Sequence, residues 1–151
     1  MSFQITVVSN TPLTPLSNMD EVLSIFLSQI GYIPPGYSPH TDAADVEASI
    51  PFRIFRDYFL KNQSRVWLVE EIAADLGSTK ATIYRHINKL KSIDLLEESY
   101  VERKGIRKKG YRIRYGNLSK AWNFTESNIQ AAVDAYRKTV DHIQKLSERM
   151  I

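Results

Sequence analysis

Lys80, Ala81, Tyr84, Arg85 and Lys89 each lie three or four residues from another of the set, in the run VEEIAADLGSTKATIYRHINKL that spans 69–90. On a helix these spacings place all five on one face. The face carries groups suited to the edges of base pairs. Arg85 could grip guanine O6 and N7 together, worth about 1–3 kcal/mol of discrimination against another base. Lys80 suits guanine or phosphate, Ala81 a thymine methyl, and Tyr84 a phosphate or sugar. Thr79 and Thr82 suit phosphate. Any one of these could equally be a solvated side chain; the set is more specific than its members. A second group of cations follows in RKGIRKKGYRIR, 103–114: Arg103, Lys104, Arg107, Lys108, Lys109, Arg112 and Arg114, with Glu102 as the one acid nearby in sequence. So much like charge is unfavourable unless an anion neutralises it or solvent screens it. Contacts with phosphate would steepen the salt dependence of binding by about 0.9 log units each. An Arg at such a tip could also enter an A·T-rich minor groove. The plain alternative is a hydrated loop.

Several elements must position these groups. Ile72, Ala73 and Leu76 predict a short helix over 70–76, with Gly77 at a left-handed turn that a Cβ would penalise. Thr79 is placed to cap the next helix by accepting a bond from a backbone N–H one turn in. Ile83, Ile87 and Leu90 form the buried stripe of that helix. Residues 95–102 and 111–115 read as strands, with Gly105 and Gly110 bracketing the turn. In the second strand Tyr111, Ile113 and Tyr115 share one face, and Arg112 and Arg114 the other. Residues 65–68 read as a small preceding strand. Helix, turn, helix and cationic hairpin together describe a winged helix-turn-helix, which lays one helix in the DNA major groove and its hairpin along the backbone.

Around this unit, Phe3, Ile5 and Val7 alternate as in an edge strand or extended arm, before the Pro-punctuated TPLTPLSN. Asn18 can cap a helix to Ile30 with Val22, Leu23, Phe26, Leu27 and Ile30 as its apolar stripe. GYIPPGYSPH reads as a loop. Thr41 or Asp42 would start another helix, with Ala43, Val46 and Ile50 near one face, until Pro51 kinks it or opens a new one. Phe52, Phe55, Phe59 and Leu60 then point inward, and Arg53, Arg56 and Asp57 outward. From Thr125 onward the chain reads as one long helix. Ile129, Val133, Tyr136, Val140, Ile143 and Met150 form a heptad-type seam, with Ser147 in the missing place and Leu146 beside it. Such a seam suits an identical helix from a second subunit; the alternative is packing on the chain's own N-terminal helices.

Composition narrows the function classes. The chain has 151 residues, and all 20 Lys and Arg lie from Arg53 onward. There they face 12 of the 17 acids, a local balance of +8, which suggests a polyanionic partner. No apolar run approaches the roughly 20 residues of a membrane span, and MSFQITVV lacks the features of a secretory signal. There is no cysteine, and His40, His86 and His142 lie in separate segments, so neither a metal nor a cofactor is expected. His86 is expected to pack or to bond a backbone group. Trp67, Trp122 and Phe124 read as core or interface. No nucleophile–base pair or phosphate loop stands out, so an enzyme is not expected.

The stretch VEEIAADLGSTKATIYRHINKLKSIDLLEE also resembles the ArsR/MarR-type transcriptional regulators of prokaryotes and archaea. Gly77, Thr79, Ile83, Arg85, His86, Ile87, Leu90, Leu95 and Leu96 carry the resemblance, which covers about residues 50–116. Ser78 and Asp94 depart from it. The resemblance implies a dimeric DNA-binding regulator in which Lys80, Ala81, Tyr84 and Arg85 read bases; without cysteine, the family's metal sensing does not carry over. The expected fold is mainly α with a small β wing: an accessory region 1–45, a DNA-binding winged helix-turn-helix 46–118 and a dimerisation helix 119–151. The expected protein is a cytoplasmic, homodimeric regulator binding double-stranded DNA, with no membrane partner and an unknown effector. An interaction module of a larger transcription or replication assembly, or an RNA-binding winged helix, are the alternatives.

Overall fold

The computed structural model describes residues 3–8, 18–34 and 46–150, with 46–48 as backbone only. The segment TPLTPLS, the later part of the Pro-rich loop and the expected helix start at Thr41 or Asp42, with Ala43, lie outside the described residues.

Helix α1 runs Met19–Gln29. Asn18 caps it: its Oδ1 accepts from the N–H of Asp20 at 2.9 Å and of Glu21 at 3.2 Å. Leu23, Leu27 and Ile30 are buried. Val22, 42% exposed, is not, contrary to the five-residue stripe expected; Phe26, four residues later, meets the Trp122 ring edge-on at 5.5 Å. The arm Phe3–Val8 is extended without being a strand. Gln4 N–H donates to Ser92 C=O and Val8 N–H to Gln29 C=O, both at 3.0 Å. Ile5 packs on the core, but Val7 is 69% exposed.

Helix α2, Val46–Arg53, continues through Pro51 and widens over Ile54–Leu60. There Lys61 N–H reaches back five residues to Arg56 C=O at 3.2 Å. The wider winding is a π-helix, which holds more residues per turn than an α-helix. That broadens the buried face: Ile54 and Tyr58 join Phe52, Phe55 and Phe59 inside, while Leu60 is only partly covered.

Helix α3 spans Val69–Leu76, and α4 spans Lys80–Ser92. Gly77 between them has φ 64° and ψ 34°, the left-handed geometry expected. Thr79 Oγ1 accepts from Thr82 N–H at 3.2 Å, which closes the first turn of α4. Strands β1, Leu96–Arg103, and β2, Ile106–Ile113, pair antiparallel, with Leu96 opposite Ile113 and Arg103 opposite Ile106. Only Lys104 and Gly105 remain for the turn, with φ of 54° and 75°. Two successive positive φ values make the tight turn whose twist suits a hairpin. The hairpin is therefore longer than the glycines suggested. Gly110 lies inside β2, where Trp67 and Tyr111 exchange backbone hydrogen bonds at 2.7 and 2.8 Å. Tyr111 and Ile113 share one face and are buried, but Tyr115, expected on that face, lies beyond the strand at φ 60° and is 53% exposed.

Helix α5 spans Leu118–Glu148, seven residues earlier in its start than Thr125. Asn117 caps it by accepting from Lys120 N–H at 3.0 Å. Ala121 and Thr125 are buried, and Thr125 Oγ1 donates to Ile93 C=O at 2.7 Å. One core joins α1, α2, α3, α4, the hairpin base and the first turns of α5. The chain is a winged helix-turn-helix carrying a long C-terminal helix. Among the described residues, no helix is long and apolar enough to cross a membrane.

Candidate nucleic-acid interface

Helix α4 is divided by its burial. Ile83, Ile87 and Leu90 are fully buried and anchor it to the core. Lys80, Ala81, Tyr84, Arg85 and Lys89 all face outward, and no part of the described chain sheathes them. Asn88 is exposed beside them. The sequence reading passed it over, although it lies four residues from Tyr84 and the helical period alone places it on that face. Thr79 is engaged as the cap, and its hydroxyl also meets that of Thr82 at 3.0 Å.

The wing differs from the reading that left its cations without acids. Lys108 Nζ lies 2.6 Å from Glu70 on α3, and Arg103 lies 3.6 Å from Glu71. Arg112 lies 3.1 Å from Glu97, Lys109 lies 3.7 Å from Glu98, and Arg114 lies 3.7 Å from Asp94. The neutralising carboxylates come from α3, from β1 and from the link after α4, not from Glu102. The hydrogen bond from Lys108 holds the Glu70 carboxyl below the usual carboxylate range, and that from Lys91 does the same for Glu98. Among the wing cations, Lys104 and Arg107 have no carboxylate within ion-pair distance in the described residues. The Arg107 guanidinium lies over the Tyr100 ring, 4.3 Å from its centre.

The two cationic regions share one side of the molecule. A cleft of about 120 Å³ between α4 and the wing is lined by Glu70, Lys80, Tyr84, Lys108 and Lys109. Lys109 stands opposite Tyr100 in the hairpin register. A single surface thus runs from Lys80, Tyr84 and Arg85, across Lys109, to Tyr100, Arg107 and the turn.

No protein-family model matches this sequence, and no curated protein matches it. A possible transcriptional regulator from Methanosarcina mazei Go1 is similar in structure at a TM-score of 0.42 and 16% identity, over 66% of this chain and 78% of that one. That likeness is too distant to carry an activity across.

His86 lies under α4 on the buried side, edge-on to the Tyr32 ring at 6.4 Å. It packs, as expected, but its Nδ1 has no hydrogen-bond partner among the described residues. Burial, reinforced by Arg85 and Lys89, pushes its pKa down to about 4. The unfolded chain therefore binds this proton more tightly than the folded one. Stability is expected to be intact above about pH 6.5, the ordinary histidine pKa, and to fall as pH drops toward 4, by on the order of 2–3 kcal/mol. His86→Leu should flatten that part of the curve of melting temperature against pH. An equal slope in the variant would assign the acid loss to other groups.

A second surface lies along α5. Val133, Tyr136, Val140, Ile143 and Leu146 on it, and Met150 past its end at Glu148, are between 46% and 84% exposed. The same stripe begins under cover, because Trp122 lies seven residues before Ile129, and both border a cavity of about 280 Å³ shared with the arm and α1.

Proposed function

We propose that this protein is a sequence-specific, double-stranded DNA-binding transcriptional regulator that acts as a homodimer. The observation that carries the reading is the outward face of α4, uncovered by the described residues and on the same side as the wing. α4 enters the major groove, where Arg85 contacts a guanine, Lys80, Ala81 and Tyr84 meet neighbouring bases or backbone, and Lys89, Thr79 and Thr82 face phosphates. The wing lies on the backbone or minor groove. The residues that resemble ArsR/MarR-type regulators support the same assignment.

The α5 seam pairs with that of a second copy. An α-helix of 31 residues is about 46 Å long, and its second half has no described neighbour to bury its apolar side. Helices in proteins draw most of their stability from packing an amphipathic face, so a partner helix accounts for the exposed apolar stripe. Two α4 helices then sit in successive major grooves about 34 Å apart on a two-fold site. Residues 46–118 form the reading unit, 119–151 the dimer helix and 1–45 an accessory region of a cytoplasmic protein.

Fluorescence anisotropy with duplex DNA over a salt series tests this. Affinity should fall steeply as salt rises, because phosphate contacts release counterions; a flat profile would overturn it. Arg85→Ala should cost about 1–3 kcal/mol at the preferred sequence and little elsewhere. Lys108→Ala should change binding far less, because Lys108 is already paired with Glu70. Equal losses at every sequence for Arg85→Ala would remove it from base recognition. Competition with duplex RNA distinguishes an RNA-binding winged helix, since the deep A-form major groove does not admit α4.

A further inference from the structure

We infer that Tyr100 is the positioning residue of the wing, holding the Arg107 guanidinium ready for the minor groove of A·T-rich duplex beside the major-groove site. The inference rests on the DNA-binding reading above. It starts from the division among the wing cations. Arg103, Lys108, Lys109, Arg112 and Arg114 each face a carboxylate and fasten the hairpin to itself or to the body. A cation already matched to an acid has less to offer a phosphate, since the new contact competes with the old one. Among the described residues, Lys104 and Arg107 are the wing cations without a carboxylate at ion-pair distance, and they lie at or beside the turn.

Arg107 has a further distinction. Glu102 stands directly opposite it in the register, yet the guanidinium lies over the ring of Tyr100, its diagonal neighbour. Tyr100 is itself 57% exposed, so the stack stands at the surface and not in the core. Arg is long and rotamer-rich, and a bound Arg must surrender that freedom. Stacking on an aromatic face settles much of it beforehand while leaving guanidinium donors open at the rim. An Arg in this state is a preformed probe. The reach is also suitable. Lys109 adjoins Tyr84 at the major-groove helix; Arg107 lies two strand positions further out, roughly 7 Å by strand rise, and Lys104 lies past the end of the strand in the turn. That step passes the sugar–phosphate strand bordering the major groove and leads to the neighbouring minor groove. There A·T-rich sequence narrows the groove and concentrates negative potential, which favours an inserted Arg.

The experiment uses the full chain and duplexes with one constant centre and flanks of either A·T or G·C pairs. Wild type should prefer A·T flanks by roughly tenfold. Arg107→Ala should abolish the preference and reduce the salt slope by about 0.9 per site. Tyr100→Ala should weaken A·T-flanked binding by about threefold to tenfold and leave the slope unchanged, because it removes no cation. Tyr100→Phe should restore wild-type behaviour, since the ring carries the stack. Melting temperatures of all three variants should match wild type. A Tyr100→Phe variant as weak as Tyr100→Ala would show that the hydroxyl acts directly and would overturn the positioning role. So would a Tyr100→Ala variant that keeps the flank preference. Failure of wild type to bind any duplex would overturn the DNA-binding reading itself.

Discussion

Replacing Val140 with Asp is expected to halve the solution mass of the protein and to lower its affinity for a two-fold DNA site by about 10²–10⁴-fold. Val140 sits midway along the exposed α5 seam, between Tyr136 and Ile143. Val133, Tyr136, Val140, Ile143, Leu146 and Met150 are each 46–84% exposed, an apolar stripe of the kind that a stable interface covers. A carboxylate at the middle of such an interface must be desolvated without a partner, which costs more than the surrounding contacts return. Loss of the dimer removes the second half-site from reach. The affinity gained by linking two binding events, typically 10²–10⁴-fold, goes with it. Ala131→Asp supplies the control, because it puts the same charge on the far face of the same exposed helix. Sedimentation and anisotropy on both variants check the result. Unchanged mass and affinity in Val140→Asp would leave the seam without a second copy. A wild-type monomer would favour the interaction-module reading instead.

Gly110→Val is expected to lower stability by about 2–5 kcal/mol. A Cβ at Gly110 would stand 2.6 Å from Val66 Cγ1 and 2.7 Å from the Trp67 carbonyl oxygen. The second of these is backbone and cannot rotate away. To make room, the 65–68 segment must leave β2, which breaks the paired hydrogen bonds between Trp67 and Tyr111. Overpacking costs about 1–3 kcal/mol, and each lost hydrogen bond about 1 kcal/mol. For a chain of this size the melting temperature should fall by on the order of 10 °C. Gly105→Ala makes the contrast. Nothing lies within 4 Å of its Cβ, and the whole penalty is the positive φ of 75°, about 1 kcal/mol. If both variants melt together, close approach is not the reason for glycine at 110.

Much of the fold could be read from local chemistry. The caps at Asn18 and Thr79 and the left-handed Gly77 each depend on atoms within a few residues of one another, so short motifs specify them. The buried stripe of α4 follows from the 3.6-residue period, and the outward face of Lys80, Tyr84 and Arg85 follows as its complement. The start of α5 was harder to see. Its first turns are anchored by Asn117, by the Leu118 N–H donating to Gln63 Oε1 at 2.7 Å and by the Thr125 bond to Ile93. Two of those three partners lie more than 30 residues away in sequence. The inward turn of Ile54 and Tyr58 was hidden for a related reason, because π winding abandons the period on which the stripe was counted.

The amino-acid sequence alone determined that a cationic helix and a cationic hairpin stand side by side along the chain, and that α5 carries an apolar seam. Only the tertiary structure decided which wing cations meet a carboxylate among the described residues. Lys108 meets Glu70 and Arg103 meets Glu71 across more than 30 residues of chain, whereas Arg107 passes over Glu102 for the ring of Tyr100. Charge is a property of composition, but its neutralisation depends on distances of a few ångströms, and those are set by how separate elements pack.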